Sequence, residues 1–348
     1  MRVLATGTDG YIGTILGNYL LQRGYDVVGL DTGFYRSGWL YPFQNAKHPQ
    51  TIAKDIRDVT ADDLRGFDAI CHLAELSNDP IGELNPEITF KINHQGSVHL
   101  ANICKEVGIT RFVYTSSCSV YGAGADDWKD ESSETNPQTA YAECKTLVER
   151  DVSALADENF SPTFLRNATA FGASPRMRFD IVLNNLSGLA WTTKEIKMNS
   201  DGTPWRPLVH IEDICQAIET MLSADRDKVH NEVFNVGSTE QNYRVKEIAE
   251  IVAEAFPGCE LTFGNSDGDN RSYRVSFDKI ANAFPKFKCR HNAAAGAAEL
   301  RQVFERIQMP AETFLGRSFT RLKELKHLLS TSQLSDELFW NSNLAESK

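Results

Sequence analysis

Apolar residues in the first half of the chain occur in short runs that are separated by helical patterns. Between the runs, apolar residues recur every three to four positions, which is the spacing of one face of a helix. Strands that alternate with helices in this way are typical of parallel sheets. The pattern therefore predicts an α/β fold with a Rossmann-type doubly wound parallel sheet. The predicted strands are RVLAT, VVGLD, AICHLA, RFVYTSS and PTFLRNATAF.

The alternation weakens after about residue 170, which predicts a second, smaller α/β lobe. We assign residues 1–172 and 208–240 to the sheet domain, and residues 173–207 and 241–348 to the smaller lobe and the C-terminal helices. The tail contains two amphipathic helical patterns, AAAGAAELRQVFERI and RLKELKHLL. We expect both helices to be scaffold without a chemical role.

Composition and charge narrow the classes of partner. The chain has 348 residues, of which 41% are hydrophobic, and a formal net charge of -11 at pH 7. A negative protein repels nucleic acid and anionic membranes, so we expect neither partner. No apolar stretch approaches the roughly 20 residues of a membrane span, and no secretion signal precedes the first strand, so we expect a cytoplasmic protein. The seven cysteines lack CxxC spacing, which favours reduced thiols and no metal site.

The segment GTDGYIG joins the first predicted strand to the first predicted helix. Gly7 permits a tight turn, Gly10 lets the backbone approach a diphosphate, and Gly13 lets the helix pack closely on the sheet. Tyr11 and Ile12 lie between Gly10 and Gly13 at the start of the helix, whose N-terminus would face an anion bound at the turn. Turns of this kind also occur without a ligand, so a further feature has to decide between the two interpretations.

An acidic residue stands at the end of the second predicted strand. Asp31 follows Gly13 by eighteen residues. A carboxylate at this position accepts hydrogen bonds from both ribose hydroxyls of adenosine and repels a 2′-phosphate. The glycine turn and Asp31 together predict NAD, rather than NADP, as the cofactor. Asp55 and Ile56, after the next short strand, are the candidates for contact with the adenine ring.

A second constellation combines YTSSCSVYG with the downstream segment YAECK. Tyr141 and Lys145 are four residues apart in a helical pattern, so they share one face and act on the same ligand. The lysine ammonium, together with a cationic nicotinamide, lowers the pKa of the tyrosine enough for it to act as a base near neutral pH. Ser117, at a strand end, is placed to hydrogen-bond the same substrate hydroxyl. The alternative interpretation of the YxxxK spacing is a surface helix with a half-buried tyrosine.

Taken in order, these motifs resemble the extended short-chain dehydrogenase/reductase family, the nucleotide-sugar epimerases and dehydratases. The resemblance covers roughly residues 1–285 and includes HLA and RPLVHIEDI as further motifs. It implies tightly held NAD, catalytic roles for Ser117, Tyr141 and Lys145, and a nucleoside diphosphate sugar bound by the smaller lobe. The other residues that it places at the cofactor are Leu73, Ala74, Ser116 and Asn93, the last as a support for the active-site helix.

The same resemblance implies a homodimer. In that family two helices pair with their symmetry mates as a four-helix bundle, and here they correspond to residues 86–107 and to the helix that begins near Thr139. Both segments carry apolar positions at helical spacing. The alternative is that these positions face only the parent sheet.

Two arginines are candidates for contact with phosphate. By position in the family, Arg206 meets the diphosphate of the substrate, and Arg271 in NRSYRV is a further candidate. Arginine offers a planar fork that binds phosphate through two hydrogen bonds, which suits an anionic ligand in an acidic protein. A surface ion pair is the alternative for each.

The sequence departs from the family at three positions that concern the reaction. Sugar 4,6-dehydratases carry an acidic pair after the catalytic serine or threonine, but Cys118 and Ser119 stand there, which disfavours that reaction. UDP-galactose 4-epimerases carry an asparagine three residues after the arginine of the next strand, where this chain has Thr169, so that substrate contact is altered. Glu75 is unusual beside a nicotinamide site, and it either accepts a hydrogen bond from a sugar hydroxyl or pairs with an arginine.

Residues 172–185, GASPRMRFDIVLNN, resemble a subgroup of the family that includes GDP-heptose C4 dehydrogenases. Arg176 and Arg178 alternate with apolar residues, so we expect both to project into the substrate cleft. Asn184 and Asn185 are placed to meet the diphosphate or the sugar.

Three functions remain open on the sequence alone. A C4 epimerase oxidises C4 of the sugar and returns the hydride to the other face of the ketone. A C4 dehydrogenase stops at the ketone and needs an external acceptor to regenerate NAD. A non-catalytic NAD-binding regulator shares the fold but typically lacks the tyrosine that stands here at position 141.

Overall fold

A computed structural model of the chain describes residues 1–43, 47–77, 82, 85–123, 127–265 and 272–341. Seven of its strands form one central parallel sheet, in the order β11-β7-β5-β4-β1-β2-β3. In chain order the described strands are β1 (Arg2–Thr6), β2 (Asp26–Asp31), β3 (Gln50–Ala53), β4 (Ala69–His72), β5 (Arg111–Ser117), β6 (Trp128–Lys129), β7 (Ser161–Asn167), β8 (Thr169–Phe171), β9 (Glu195–Lys197), β10 (Trp205–His210), β11 (Glu232–Val236), β12 (Asn242–Arg244), β13 (Glu260–Thr262) and β14 (Arg274–Val275).

Helices cover both faces of this sheet, which confirms the predicted doubly wound fold. A π-helical segment, Phe90–Gly96, joins the third helix to the fourth. No helix among the described residues is long and apolar enough to cross a membrane. In chain order the described α-helices are α1 (Tyr11–Gln22), α2 (Ala61–Leu64), α3 (Pro86–Thr89), α4 (Ser97–Glu106), α5 (Ala140–Ser153), α6 (Val182–Thr192), α7 (Ile211–Ser223), α8 (Arg226–Val229), α9 (Val245–Ala255), α10 (Asp278–Ala283), α11 (Ala293–Ile307), α12 (Ala311–Leu315) and α13 (Arg321–Ser330).

The alternation of side chains along each strand builds two apolar cores. Val3 and Ala5 of β1 lie in the core on one face of the sheet, whereas Leu4 lies in the core on the other face. The first core continues into the second half of the chain through Phe256 and Phe304. One apolar core is therefore shared by the two predicted domains, and it marks no boundary between them. The domain boundaries remain a prediction from the sequence.

The prediction that PTFLRNATAF forms one strand is wrong. The segment leaves the central sheet after β7, at the point where the Ala168 amide donates to the Val236 carbonyl of β11 (3.0 Å). Its last residues form β8, which pairs with β10 in a second sheet of the order β12-β10-β8. The break turns the chain out of the sheet just beyond its carboxyl edge, so Thr169 lies beside that edge rather than within the sheet.

Both amphipathic patterns of the C-terminal tail form helices, as predicted. Helix α11 packs into the first core through Leu300 and Phe304. Helix α13 crosses to the other face of the molecule, where Leu325 and Leu328 pack into the second core. The tail therefore touches both faces of the sheet domain.

A buried ion pair connects α5 to the central sheet. The Arg166 guanidinium on β7 donates to both carboxylate oxygens of Glu149 on α5, with a shortest distance of 2.7 Å between Nη2 and Oε2. The Ser116 hydroxyl on β5 donates to the same carboxylate (2.5 Å), and Arg166 also donates to the Tyr121 hydroxyl (3.0 Å). Both charged side chains are more than 90% buried. The pair fixes α5 against the ends of β5 and β7.

Replacement of Arg166 by methionine should lower the free energy of unfolding by about 3–5 kcal/mol, because it leaves the Glu149 carboxylate buried without its cation. Urea denaturation followed by circular dichroism measures the change. The double variant Arg166→Met/Glu149→Leu removes both charges and should recover most of the lost stability. A double variant no more stable than Arg166→Met would contradict the electrostatic explanation.

Candidate active site

The carboxyl ends of the central strands border one cavity of about 530 Å³. The order of the strands determines the order of the residues along this edge. These residues are, from one side to the other, Asp31 of β2, Gly7 after β1, Ala74 after β4, Ser117 of β5 and Thr169 beyond β7. Ligands of open α/β sheets bind in this position, outside the carboxyl ends of the strands. The cavity is therefore the candidate active site, and Asp31 and Ser117 lie towards opposite ends of it.

The glycine turn forms the wall of the cavity between these two ends. Gly7 has a φ of 77°, and its carbonyl accepts a hydrogen bond from the Gly10 amide (3.1 Å). A Cβ atom on Gly13 would lie 2.0 Å from the Gly7 carbonyl oxygen, so only glycine lets α1 begin this close to the turn. Gly10, Tyr11 and Ile12 border the cavity at the N-terminus of α1. This bare backbone beside a helix N-terminus fits a diphosphate group.

Asp31 is held by the backbone in a position that suits a ribose. Its Oδ2 accepts from the Asp9 amide (3.0 Å), and its Oδ1 accepts from the Gly33 amide (2.7 Å). Burial, with a smaller contribution from the nearby Asp9 carboxylate, raises the pKa of Asp31 to about 6. Arg36 pairs with Asp9 (2.5 Å between Nε and Oδ2) and so neutralises that neighbour. The carboxylate still has lone pairs for two ribose hydroxyls.

The other predicted cofactor residues fall into two groups. Leu73 and Ala74 border the cavity, and both of their amides donate to the Thr6 hydroxyl (3.1 Å each). Asn93 does not border the cavity but is hydrogen-bonded to both the amide and the carbonyl of Leu76 (2.8 and 3.0 Å), which positions the segment after β4. The other predicted cofactor residues that border the cavity are Asp55, Ile56 and Ser116.

Tyr141 and Lys145 both face the cavity from the first turns of α5. The helix begins after Thr139, whose hydroxyl accepts a hydrogen bond from the Ala142 amide (3.2 Å). The Lys145 Nζ lies 5.4 Å from the centre of the Tyr141 ring. Ser117 borders the same end of the cavity, so the three predicted catalytic residues are brought together.

Glu75 forms a buried ion pair with Lys145, not with an arginine. The distance between Lys145 Nζ and Glu75 Oε2 is 2.5 Å, and the two side chains are 4% and 2% exposed. The Tyr114 hydroxyl donates to Glu75 Oε1 (2.5 Å), and Lys145 also donates to the Thr115 carbonyl (2.5 Å). Burial raises the pKa of Glu75, and the Glu75 carboxylate raises the pKa of Lys145 against the opposing effect of burial. At the end of the cavity that contains Ser117 and Tyr141, which we call the reacting end, the charge of the Lys145 ammonium is thus balanced by the Glu75 carboxylate.

The predicted substrate residues are divided in the structure. Arg178, Arg206 and Thr169 border the cavity. Arg178 is paired with Asp180 (2.9 Å between Nε and Oδ1) and donates to the Ser77 hydroxyl (3.2 Å). Arg206 donates to the Trp205 carbonyl (2.8 Å).

Three other predicted substrate residues do not border the cavity, which corrects the expectation for them. The Arg176 guanidinium donates to the carbonyls of Tyr35, Arg36 and Gly38 and stabilises that loop. Asn184 and Asn185 are used within the fold, since their amides donate to the carbonyls of residues 178 and 179 (3.1 and 2.8 Å). Arg271 lies outside the described residues.

Several cavity residues were missed by the sequence analysis. Arg321 is the most informative, because it reaches the cavity from the C-terminal tail that we expected to be scaffold. It shares one face of α13 with Leu325 and Leu328, and an arginine on an apolar face was the available signal. The other cavity residues that were missed include Tyr35, Ser119, Asp180 and Tyr273.

Comparison with known proteins identifies the class of enzyme to which this cavity belongs. The model of the NAD dependent epimerase/dehydratase family matches residues 3–237, about two thirds of the chain. The chain belongs to this family. It is therefore an NAD-dependent enzyme of the extended short-chain dehydrogenase/reductase type, and its relatives are nucleotide-sugar epimerases, dehydratases and decarboxylases.

Individual relatives are distant. UDP-glucuronic acid decarboxylase 1 of Arabidopsis thaliana is 26% identical over 281 residues, which span 78% of this chain and 62% of that protein. UDP-glucuronate 4-epimerase of Thermodesulfobacterium geofontis is 24% identical over 72% of this chain and 79% of its own length. The structure of MoeE5 in complex with UDP-glucuronic acid and NAD superposes with a TM-score of 0.76 at 26% identity, over 88% of this chain and 99% of MoeE5. These similarities show the family and the fold.

The ion pair of Glu75 yields a test specific to this member of the family. Glu75→Gln should move the pH at which activity is half-maximal to lower values, by about one unit, because removal of the carboxylate leaves the Lys145 charge free to stabilise the Tyr141 phenolate. The pH profile of kcat/KM measures the shift. Tyr114→Phe is the matched control, since it removes a hydrogen bond from Glu75 but keeps its charge, and it should shift the profile less. A shift to higher pH would contradict this role of Glu75.

The position of Asp31 predicts how cofactor affinity depends on pH and on the 2′-phosphate. Affinity for NAD should fall as the pH drops through about 6, because the carboxyl group, whose raised pKa lies there, loses the charge that accepts from ribose. Asp31→Asn should weaken NAD binding about tenfold at pH 8, flatten the pH dependence and reduce discrimination against NADP. Titration of both cofactors by tryptophan fluorescence gives the constants. An unchanged ratio of NAD to NADP affinity would exclude Asp31 from the ribose site.

Proposed function

We propose that the protein is a nucleotide-sugar C4 epimerase, which oxidises and re-reduces one carbinol carbon of a nucleoside diphosphate sugar. The observation that carries the proposal is the composition of the reacting end of the cavity. Ser117, Tyr141 and Lys145 meet there, while Glu75, the carboxylate beside them, is held by Lys145 and Tyr114. The described residues thus provide a base and a hydroxyl for alcohol oxidation, and no unpaired acid for the removal of water.

The residues have separate roles in this reaction. NAD, when bound, accepts a hydride from the sugar carbon and returns it. Tyr141, in its phenolate form, takes the proton of the sugar hydroxyl while the C–H bond breaks. The Ser117 hydroxyl forms a hydrogen bond with the oxygen of that sugar hydroxyl and orients it. The keto-sugar then turns within the cavity, so that its opposite face receives the hydride. In this second half of the cycle the proton returns from Tyr141 to the ketone oxygen. The sugar is epimerised with no net oxidation, so the cycle needs no second substrate.

The residues after Ser117 argue against a 4,6-dehydratase. That reaction needs an acid and a base beside the serine, in addition to the tyrosine. Cys118 is 1% exposed and points at the Arg166 carbonyl (3.1 Å between sulfur and oxygen), away from the cavity. Ser119 borders the cavity, but its hydroxyl is a much weaker acid than the carboxyl group of an aspartate or glutamate.

Other features concern the substrate and the assembly. Most of the relatives are named for UDP-sugars and one for a dTDP-sugar, which supports a uridine diphosphate sugar, with Arg206 and Thr169 as its contacts in the cavity. The C4 dehydrogenase remains the alternative, since it shares the oxidation step.

The homodimer remains a prediction. Within the chain, α5 packs against the helical segments of residues 86–106, and Cys144 Sγ lies 3.8 Å from the Thr89 carbonyl oxygen.

The purified protein with its bound cofactor should convert a UDP-sugar to its C4 epimer, without a lasting change in absorbance at 340 nm. UDP-glucose, UDP-glucuronic acid, and GDP- and dTDP-sugars form the screen, and NMR of the products identifies the altered carbon. Tyr141→Phe should reduce turnover by about 10²–10⁴-fold, because the proton acceptor is removed, while the affinity for UDP is unchanged.

The result also decides between the alternatives. A stoichiometric rise at 340 nm with release of a keto-sugar would establish the dehydrogenase and overturn the epimerase. Near-normal turnover by Tyr141→Phe would remove Tyr141 from the role of base.

A further inference from the structure

Arg321, the first residue of α13, is a buried cation that makes no direct ion pair with any carboxylate among the residues that the structure describes. Its side chain is 2% exposed, and among the described residues it makes one long hydrogen bond, from Nη2 to the Arg176 carbonyl (3.5 Å). The Tyr35 ring lies against one face of the guanidinium, 4.1 Å from its central carbon. Burial lowers the pKa of Arg321 to about 10. A guanidinium in this state is costly to the fold, so a ligand that neutralises it gains affinity.

The cavity is the place from which an anion reaches this side chain. Arg321 borders the cavity, and the other charged groups that act on it are Arg178, Asp180 and Asp31. Arg178 is already paired with Asp180, so that cation and that anion balance each other. Asp31 accepts from two backbone amides at the ribose end of the cavity. Within the part of the chain that the structure describes, Arg321 therefore has no carboxylate in direct contact, although Asp31 acts on it from a distance.

The tail that carries Arg321 is anchored on both sides of the same end of the cavity. Glu324 accepts from the Ser37 hydroxyl (2.8 Å), after the loop that follows Asp31. Further along, the Trp340 indole donates to the Thr32 carbonyl (2.7 Å), and the Phe34 ring lies 5.9 Å from the Trp340 ring.

A second set of contacts ties the tail to the segment after β3 and to the π-helical segment. The Arg57 guanidinium, which also holds Asp55, donates to the Glu337 carbonyl (2.9 Å). The Glu337 carboxylate pairs with Lys91 (3.1 Å). Residues 317–341 therefore cross the adenosine end of the cavity as a strap, fastened to three parts of the sheet domain.

We propose that Arg321 binds a phosphate of the dinucleotide cofactor, and that residues 317–341 thereby hold the cofactor in its site. The group recognised is a diphosphate, which both the cofactor and the sugar nucleotide contain. The cofactor is favoured because the Asp31 carboxylate, at the ribose end of the cavity, is among the charged groups that act on Arg321. The inference rests on the cavity being the NAD site and does not depend on which sugar is the substrate.

Arg321→Met removes the charge and keeps an unbranched side chain of similar length against Tyr35. It should raise the dissociation constants of both NAD and ADP-ribose by about 10–100-fold, because each loses a charge-assisted hydrogen bond to phosphate. The NAD retained per chain after desalting, read by absorbance and by enzymatic assay of the extract, should fall accordingly. Arg321→Lys keeps the charge and should lie between Arg321→Met and the unaltered protein. Lys326→Met, an exposed lysine on the same helix, is the matched control and should behave as the unaltered protein.

Thermal unfolding and UDP binding separate this role from the alternatives. Once bound NAD has been removed from both proteins, Arg321→Met should unfold at a temperature no lower than the unaltered protein, since it removes a buried charge that has no direct carboxylate partner. A lower unfolding temperature with unchanged NAD affinity would show a structural role and overturn the proposal. Weaker UDP binding to the NAD-saturated protein, with NAD affinity unchanged, would assign the phosphate to the sugar nucleotide and also overturn it. These measurements need no turnover, so a failure of the epimerase assay leaves their outcome readable.

Discussion

A parallel sheet brings the carboxyl ends of all its strands to one edge, and the candidate site depends on that constraint. Residues that are far apart in sequence become neighbours there because each stands just after a strand. Asp31, the glycine turn, Ala74 and Ser117 follow the order β2, β1, β4 and β5 along the edge. The long axis of a dinucleotide fits this row, with the ribose carboxylate towards one end and the reactive hydroxyls towards the other. The placement of the candidate site residues is thus a consequence of strand order.

Charge inside the cavity is arranged mostly in balanced pairs. Lys145 is neutralised by Glu75, and Arg178 by Asp180, each at less than 3 Å. Outside the cavity wall, Arg166 and Glu149 hold the helix that bears Tyr141. Such pairs contribute little net stability, but each fixes an orientation that a solvated side chain lacks. Since Glu75 pairs with Lys145 beside the Tyr141 ring, we expect this one unusual residue to influence the pH dependence of activity.

Sequence reasoning predicted which residues border the cavity where those residues stand at the end of a strand or the start of a helix. The glycine turn, Asp31 and the Tyr141–Lys145 pair were predictable because turn chemistry and helical spacing determine where these residues lie. Arg176 was misplaced because an alternation of side chains holds only in an extended strand, and the structure has no strand between β8 and α6. Its guanidinium instead satisfies three carbonyls of a loop far earlier in the chain.

The contribution of Arg321 was beyond that reasoning, since no local pattern tells which distant surface a helix will cover. Its placement has a consequence for the type of reaction. An epimerase returns its hydride to the same sugar, so its cofactor never has to leave, and a strap across the adenosine end suits this cycle. A dehydrogenase that exchanges its reduced cofactor needs that end to open at each turnover, against the contacts of Glu324, Glu337 and Trp340. The tail therefore favours a reaction in which oxidation and reduction occur on one sugar with one resident cofactor.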